Sequence, residues 1–267
     1  MPATLAQLVL ALAIEHGHPG RSPYSYEPVA ECGNDPVHPS CKLVPVCADD
    51  TPRCRAPKFS RVRGAWVRVE SRETALLRFA KVARVMSKTA ERLVRCTGES
   101  RTNCEPIAWS GNEKSLALAG LTVVLHESGL REDIMFGHPP LGRGPAGEAC
   151  LMQVALDQVP VHASWLPQEQ RELIFRQPQR REQLAHTLLG DSPAALERCF
   201  EVGLRALAQA RRSCEKGGVP WDTGMFSMYG SGRTCKVPII AQTRTKTFRE
   251  LTAARPQLSA ELAALLE

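Results

Sequence analysis

Aromatic residues and long apolar runs are scarce in this sequence, and each scarcity excludes a class of function. Only 5% of the 267 residues are aromatic, and only 3 are tyrosines, which argues against a base-stacking surface for single-stranded nucleic acid. No stretch reaches the roughly 18 uninterrupted apolar residues of a membrane helix. We therefore expect no transmembrane segment.

Charge of one sign is not concentrated either. The chain has 34 Lys and Arg against 28 Asp and Glu, a net charge of +6, and its basic residues are scattered. A positive protein suits an anionic polymer such as a membrane surface or bacterial cell wall. Because no basic tract is present, we expect no nucleic-acid partner.

The short motifs that hold metals and cofactors are missing. His126 and Glu127 do not begin an H-E-x-x-H zinc motif, because Leu130 stands at the position of the second histidine. His138 and His162 are isolated in the sequence. No C-x-x-C pair, phosphate loop or G-x-S-x-G elbow is present. The sequence therefore predicts neither a metal nor a cofactor.

Cysteine, in contrast, is abundant. The number, 10, is even and the spacing is loose, which favours disulfides over structural zinc. Disulfides form in oxidising compartments, so we expect a periplasmic or secreted protein, with a phage-associated protein as the alternative. The apolar run 5–14 has the length of a signal-peptide core but lacks a preceding basic residue and a cleavage site. It is either a signal remnant or an N-terminal helix.

Residues 17–60 are rich in proline and contain Cys32, Cys41, Cys47 and Cys54. Proline at this density does not sustain a helix or a central strand. We therefore divide the chain into a disulfide-stapled irregular arm, residues 1–60 with a possible signal remnant at 1–16, and a helical domain, residues 61–267. A partly disordered leader is the alternative. The arm is expected to contribute no catalytic group, so a truncation near Arg61 should keep the chemistry.

Hydrophobic periodicity predicts a mainly α-helical fold. Between residues 70 and 93 apolar side chains recur every three or four positions, with basic residues on the other side. Residues 115–125 are apolar almost throughout, which is typical of a central buried helix. Strand signals are weak. Further helices are predicted over 168–189, 193–214 and, interrupted by Pro256, 247–266, whereas 217–238 is predicted to be a loop.

Glu127 is the most informative single residue. It follows the apolar helix directly, so we expect its carboxyl group to lie partly in a low dielectric. Desolvation disfavours the charged form and raises the pKa of a carboxyl group. A carboxyl group that keeps its proton near neutral pH can protonate the leaving oxygen of a glycosidic bond. The alternative is a helix-end glutamate bonded to nearby backbone.

Three short stretches occur in order: Glu127-Ser128-Gly129, then Leu151-Met152-Gln153, then Tyr229-Gly230-Ser231-Gly232. Together with the helical pattern they resemble the lysozyme-like lytic transglycosylases, the soluble type related to goose-type lysozymes. The resemblance covers residues 70–240. Two positions depart from the family pattern, because Cys150 stands where the family has Gly, and the tyrosine stretch lacks its Asn.

The resemblance implies a peptidoglycan-cleaving enzyme that acts on the β-1,4 bond between N-acetylmuramic acid and N-acetylglucosamine and leaves a 1,6-anhydro product. It gives Glu127 the role of general acid and then base, and Ser128 the role of orienting nearby polar groups. Met152 and Gln153 would line the sugar cleft, and Tyr229 would hydrogen-bond near the catalytic carboxylate. For Met152 and Tyr229 burial in the core is the alternative.

A second carboxylate is a separate question. Asp133 and Glu148 both lie in the stretch after Glu127 and are candidates, or else exposed loop carboxylates. An inverting hydrolase places its base about 6.5–9.5 Å from the acid. A lytic transglycosylase needs no such group, because the 6-hydroxyl of the muramic acid attacks its own anomeric carbon. A hydrolysing muramidase, a non-catalytic wall-binding or phage structural module, and a secreted inhibitor stay open as alternatives.

Loop placement suggests a disulfide pattern. Cys214 ends a predicted helix and Cys235 follows Tyr229, so a bond between them would hold the tyrosine stretch. A bond between Cys150 and Cys199 would fix the Leu-Met-Gln stretch. Cys96 and Cys104 would close a local loop, and the four cysteines of the arm would pair among themselves.

Overall fold

The computed structural model describes residues 3–17, 26–28, 60–62, 65–69, 72–95, 107–137, 143–144, 147–215, 219–232, 234–236 and 239–267. These residues form a mainly helical protein with three short strands, in agreement with the predicted fold class. The helices are α1 (Leu5–Gly17), α2 (Arg72–Val94), α3 (Glu113–Glu127), α4 (Glu132–Phe136), α5 (Gln158–His162), α6 (Gln168–Phe175), α7 (Pro178–His186), α8 (Pro193–Glu215), α9 (Trp221–Ser231), α10 (Ile239–Ala253) and α11 (Ala260–Ala264).

Helix α3 is the centre of the core. Asn112 caps it, since its side-chain oxygen accepts a hydrogen bond from the Ser115 amide at 2.9 Å. Every residue from Leu116 to Val124 is buried, as the unbroken apolar run predicts. Helices α1, α2, α8 and α10 all contact α3. Gly120 permits the close approach of α8, because a β-carbon there would lie 2.7 Å from a Leu204 methyl group.

Helix α1 belongs to this core. Val9, Leu10, Leu12 and Ala13 are fully buried, and α1 contacts both α2 and α3. The run 5–14 is therefore a packed helix of the domain. The predicted boundary at residue 60 is wrong for α1, because it separates this helix from those on which it packs.

A small antiparallel sheet precedes α2. Its order is β1 (Tyr26–Pro28), β3 (Ala65–Val69), β2 (Ser60–Val62), with Tyr26 opposite Val69 and Arg61 opposite Trp66. Strand β1 lies inside the predicted irregular arm and contacts α4, so part of the arm is attached to the helical domain. Cys32, Cys41, Cys47, Cys54, Cys96 and Cys104 lie outside the described residues, and so do their predicted pairings.

Two helix predictions need correction. The stretch 168–189 forms two helices, because Pro178 cannot continue α6 and instead begins α7. Leu173 and Phe175 fit the apolar periodicity of the predicted helix, yet they are 44% and 46% exposed. The stretch 217–238 is not a loop, since it contains α9. Gly224 lies inside this helix and packs tightly against Cys214, since a β-carbon at Gly224 would lie 2.7 Å from the cysteine β-carbon.

Two disulfides cross-link the helical domain, and they are the two pairs that loop placement suggested. The sulfur atoms are 2.12 Å apart in Cys150–Cys199 and 2.04 Å apart in Cys214–Cys235. The bonds close segments of 49 and 21 residues. In the chain-entropy account, loops of these lengths contribute about 4 and about 3 kcal/mol to stability.

Candidate active site

Glu127 is the last residue of α3, and its side chain is 23% exposed. Burial raises the pKa of its carboxyl group above the ordinary value. The neighbouring Arg244 guanidinium opposes this shift, and the negative charge of Glu148 adds to it. The net effect is a raised pKa, the direction that the apolar helix predicts and that a general acid requires.

The end of α3 holds Glu127 in place. The amides of Ser128 and Gly129 both donate to the Val124 carbonyl, at 3.0 and 2.9 Å, and the Ser128 hydroxyl donates to the same oxygen at 2.9 Å. Gly129 has a φ of 57°, which glycine adopts without strain. The Ser128 hydroxyl therefore bonds within its own helix and is buried, so this contact does not orient other polar groups.

A buried arginine, missed in the sequence, contacts the candidate acid. Arg244 of α10 donates from Nη2 to Glu127 Oε1 at 2.5 Å, and its side chain is 7% exposed. Its Nε and Nη1 atoms are buried and have no hydrogen-bond partner among the described residues. The sequence contains no signal for it, because the predicted helix begins at residue 247 and Arg244 lies outside every predicted helix.

Gly230 makes room for this arginine. A β-carbon at Gly230 would lie 2.7 Å from Arg244 Nη1, closer than real β-carbons approach other atoms. Gly230 is the position at which the transglycosylase pattern has Asn. A side chain at residue 230 would therefore displace the guanidinium.

Tyr229 connects α9 to the Leu-Met-Gln stretch. Its hydroxyl donates to the Met152 carbonyl at 2.8 Å. Burial, followed by the negative charge of Glu127, raises the pKa of Tyr229, so the phenol stays protonated and a donor. Met152 itself is fully buried, and a β-carbon on Gly203 would overlap its sulfur. The Met152 side chain is therefore a core residue, and its backbone oxygen is the part that faces the site tyrosine.

Gln153 closes a tight turn. Ala149 and Val154 exchange two backbone hydrogen bonds of 3.0 Å, and Gln153 donates from Nε2 to the Cys150 carbonyl at 2.9 Å. Cys150 has a φ of 60°, a left-handed conformation that costs a side-chain-bearing residue about 1 kcal/mol or more. In this chain the disulfide to Cys199 anchors the turn.

The two second-carboxylate candidates differ. Glu148 precedes the turn and is near enough for its charge to raise the pKa of Glu127. Asp133 lies in α4, but its side chain is outside the described residues. His126 completes the surroundings: its Nε2 lies 2.9 Å from the Thr247 hydroxyl, and burial, then Arg244, lowers its pKa.

The described cavities lie elsewhere. Cavities of about 610 and 480 Å³ are lined mainly by α5, α6 and α8, and neither lining includes Glu127, Gln153 or Tyr229. Glu127 therefore lies outside both of these cavities. The structure brings Glu127, Glu148, Arg244 and Tyr229 together, and it turns Ser128 and Met152 inward.

No protein family, curated protein or solved structure matches this chain. Across the ranges the structure describes, no helix is long and apolar enough to cross a membrane. Among those same residues, no group of three or more His, Cys, Asp or Glu side chains is placed to hold a metal ion.

Proposed function

We propose that this protein is a lysozyme-like lytic transglycosylase that cleaves the glycan strands of peptidoglycan. The observation that carries the proposal is a largely buried carboxyl group at the end of a buried helix, with its pKa raised and a protonated tyrosine beside it. The resemblance in three ordered motifs points to the same chemistry.

In the proposed reaction Glu127 acts twice. It first gives its proton to the glycosidic oxygen between N-acetylmuramic acid and N-acetylglucosamine, and the bond from that oxygen to the anomeric carbon breaks. The 6-hydroxyl oxygen of the muramic acid then bonds to the anomeric carbon, and Glu127 takes up the hydroxyl proton. One carboxyl group serves as acid and then base, and no water is consumed.

Arg244 fits this scheme as a positioning residue. Its hydrogen bond occupies Oε1 of Glu127, which leaves Oε2 for the proton that is transferred. Its positive charge also holds the pKa of the carboxyl group below the value that burial alone would set. Arg244 thereby keeps the pKa of Glu127 in a range that suits both an acid and a base, because an acid with too high a pKa is slow to release its proton.

The pH profile tests this role of Arg244. In Arg244→Gln the opposing charge is lost, so the pKa of Glu127 rises further and the limb of the activity profile set by Glu127 moves to higher pH. Activity on purified walls measured as a function of pH reports the shift. Arg249→Gln is the matched control, since Arg249 lies on the same helix, is 65% exposed and pairs with Asp222. Equal profiles in the two variants would contradict the role.

A hydrolysing muramidase is the second candidate, and the nearness of Glu148 to Glu127 favours it. Product analysis separates the two. We expect the full chain, incubated with purified peptidoglycan, to release muropeptides with a 1,6-anhydro end, which are lighter than hydrolysis products by the mass of one water. Reducing-end products that disappear in Glu148→Gln would instead establish hydrolysis. Binding to walls with no released product would establish a non-catalytic wall-binding or phage structural module.

The same proposal places the protein in the cell envelope. Two disulfides require an oxidising compartment, which the periplasm or the exterior provides. The net charge of +6 favours association with an anionic wall. A phage-associated protein that acts on the same polymer is the alternative.

A further inference from the structure

The larger described cavity, about 610 Å³, is strongly basic. Its lining contains Arg171, Arg205 and Arg212 and no carboxylate. The buried acid Glu201 lies outside the lining, where it accepts from Arg205 Nε at 3.2 Å and pairs with Arg92 at 2.6 Å. The lining itself therefore contributes three positive side chains and no negative one.

A buried histidine in the same lining has an unused polar atom. His162 is 7% exposed, and its Nε2 has no hydrogen-bond partner among the described residues. Burial, then Arg205 and Arg171, lowers the pKa of His162 to about 4, so the ring is neutral near pH 7. Buried polar atoms are rarely left unpaired in folded proteins, so this atom indicates a missing partner in the cavity.

An apolar surface continues from the basic cavity. A second cavity of about 480 Å³ shares Val161 and Arg171 with the first, and Phe175 also lines it. Val161 and Phe175 are large apolar side chains that are 42% and 46% exposed. Glu172 and Arg176 lie at the same lining with opposite charges. A ligand that spans both cavities meets positive charge at one end and apolar surface at the other.

We propose that the two cavities form one binding site for a small amphipathic organic anion. Its phosphate or carboxylate group would lie among Arg171, Arg205, Arg212 and His162, and its apolar part would lie over Val161 and Phe175. Arginine favours such oxyanions because its planar fork of N–H donors matches their geometry. The cavity volumes are in the range of small-molecule sites. The site is separate from Glu127 and does not depend on the proposed wall-cleaving activity.

Calorimetric titration of the full chain with 1-naphthyl phosphate, 1-naphthoate and inorganic phosphate tests the proposal. We expect 1-naphthyl phosphate to bind more tightly than inorganic phosphate, because only the former covers the apolar surface. Arg212→Gln should weaken both by at least about tenfold, as expected for loss of a hydrogen bond to a charged group. Phe175→Ser should weaken only the naphthyl ligands. The 1-naphthoate arm distinguishes a carboxylate from a phosphate head.

Matched controls lie on the same helices as the tested residues. Arg198→Gln removes the same charge from the same helix, and Leu173→Ser removes a similarly exposed apolar side chain, yet neither residue lines either of these two cavities. Both should bind as the unmodified chain does, and so should Glu127→Gln. Equal affinities in Arg212→Gln and Arg198→Gln, equal affinities in Phe175→Ser and Leu173→Ser, or no binding of any probe at millimolar concentration would each overturn the proposal.

Discussion

Glu127→Gln should abolish nearly all release of muropeptides from purified peptidoglycan. Glutamine keeps the size of the side chain and can still accept a hydrogen bond from Arg244, but it has no proton to transfer. General acid–base catalysis contributes about 10²–10⁴ in rate. Because Glu127 supplies both the acid and the base step, we expect a loss at the upper end of this range. The measurement is the initial rate of product release by mass spectrometry at matched enzyme concentration.

The same variant should gain stability relative to the unmodified chain as pH rises. Burial raises the pKa of Glu127 in the folded chain, so the folded state holds a proton that the unfolded state has already lost. The favourable contribution of the protonated form is present below the unfolded pKa and is lost as pH rises through the folded pKa. Glutamine does not titrate. Denaturant unfolding at several pH values measures the difference.

Glu250→Gln is a suitable control for both measurements. Glu250 is a half-exposed glutamate on α10 whose contact with Lys246 is a weak surface pair at 3.9 Å. Glu250→Gln should leave the rate of product release unchanged, and it should not reproduce the gain in stability that is expected of Glu127→Gln as pH rises. A Glu127→Gln variant with undiminished rate would remove Glu127 from the chemistry and leave the wall-binding module as the better account.

Leu10→Ala should lower the free energy of unfolding by about 2–5 kcal/mol, whereas Leu77→Ala should change it by less than about 0.5 kcal/mol. The chemical change is identical, but Leu10 is fully buried in α1 and Leu77 on α2 is 60% exposed. Truncation near Arg61 removes α1 entirely, so it should unfold the domain rather than spare the chemistry. Urea unfolding followed by circular dichroism gives both values.

Equal unfolding free energies for the two leucine variants would show that α1 does not pack as described. A folded, active protein that starts at residue 61 would show the same. Since whole domains are stable by only about 5–15 kcal/mol, loss of the three fully buried side chains Val9, Leu10 and Leu12 is a large fraction of the total.

The sequence predicted those elements whose local pattern and tertiary environment agree. Helix α3 is apolar all round and buried all round, and α8 begins at its proline. The predictions were wrong where the same residue type occurs in two structural environments. Glycine is common in loops, but Gly224 and Gly230 lie inside α9, where a β-carbon would clash with Cys214 and Arg244, respectively. Leu173 and Phe175 fit a helical periodicity, yet both are exposed, because α6 is a short helix and a new helix begins at Pro178.

The candidate site was predictable only in part. Glu127 stood out because a carboxylate follows an apolar helix, and burial is the largest cause of the upward shift of its pKa. Arg244 could not be found in this way, since arginines are scattered through the chain and most of them are surface residues. Its burial results from the docking of α10 beside α3 and from the space at Gly230, neither of which a single stretch of sequence records.

The contact between Glu127 and Arg244 spans 117 residues of chain. A polypeptide synthesised from its N-terminus completes α3 long before the ribosome reaches α10. During that interval the carboxylate lacks the guanidinium of Arg244, and the side of α3 on which α10 packs is not yet covered by it. The candidate site is therefore assembled late, and a chain interrupted before residue 244 would carry the acid without the residue that positions it.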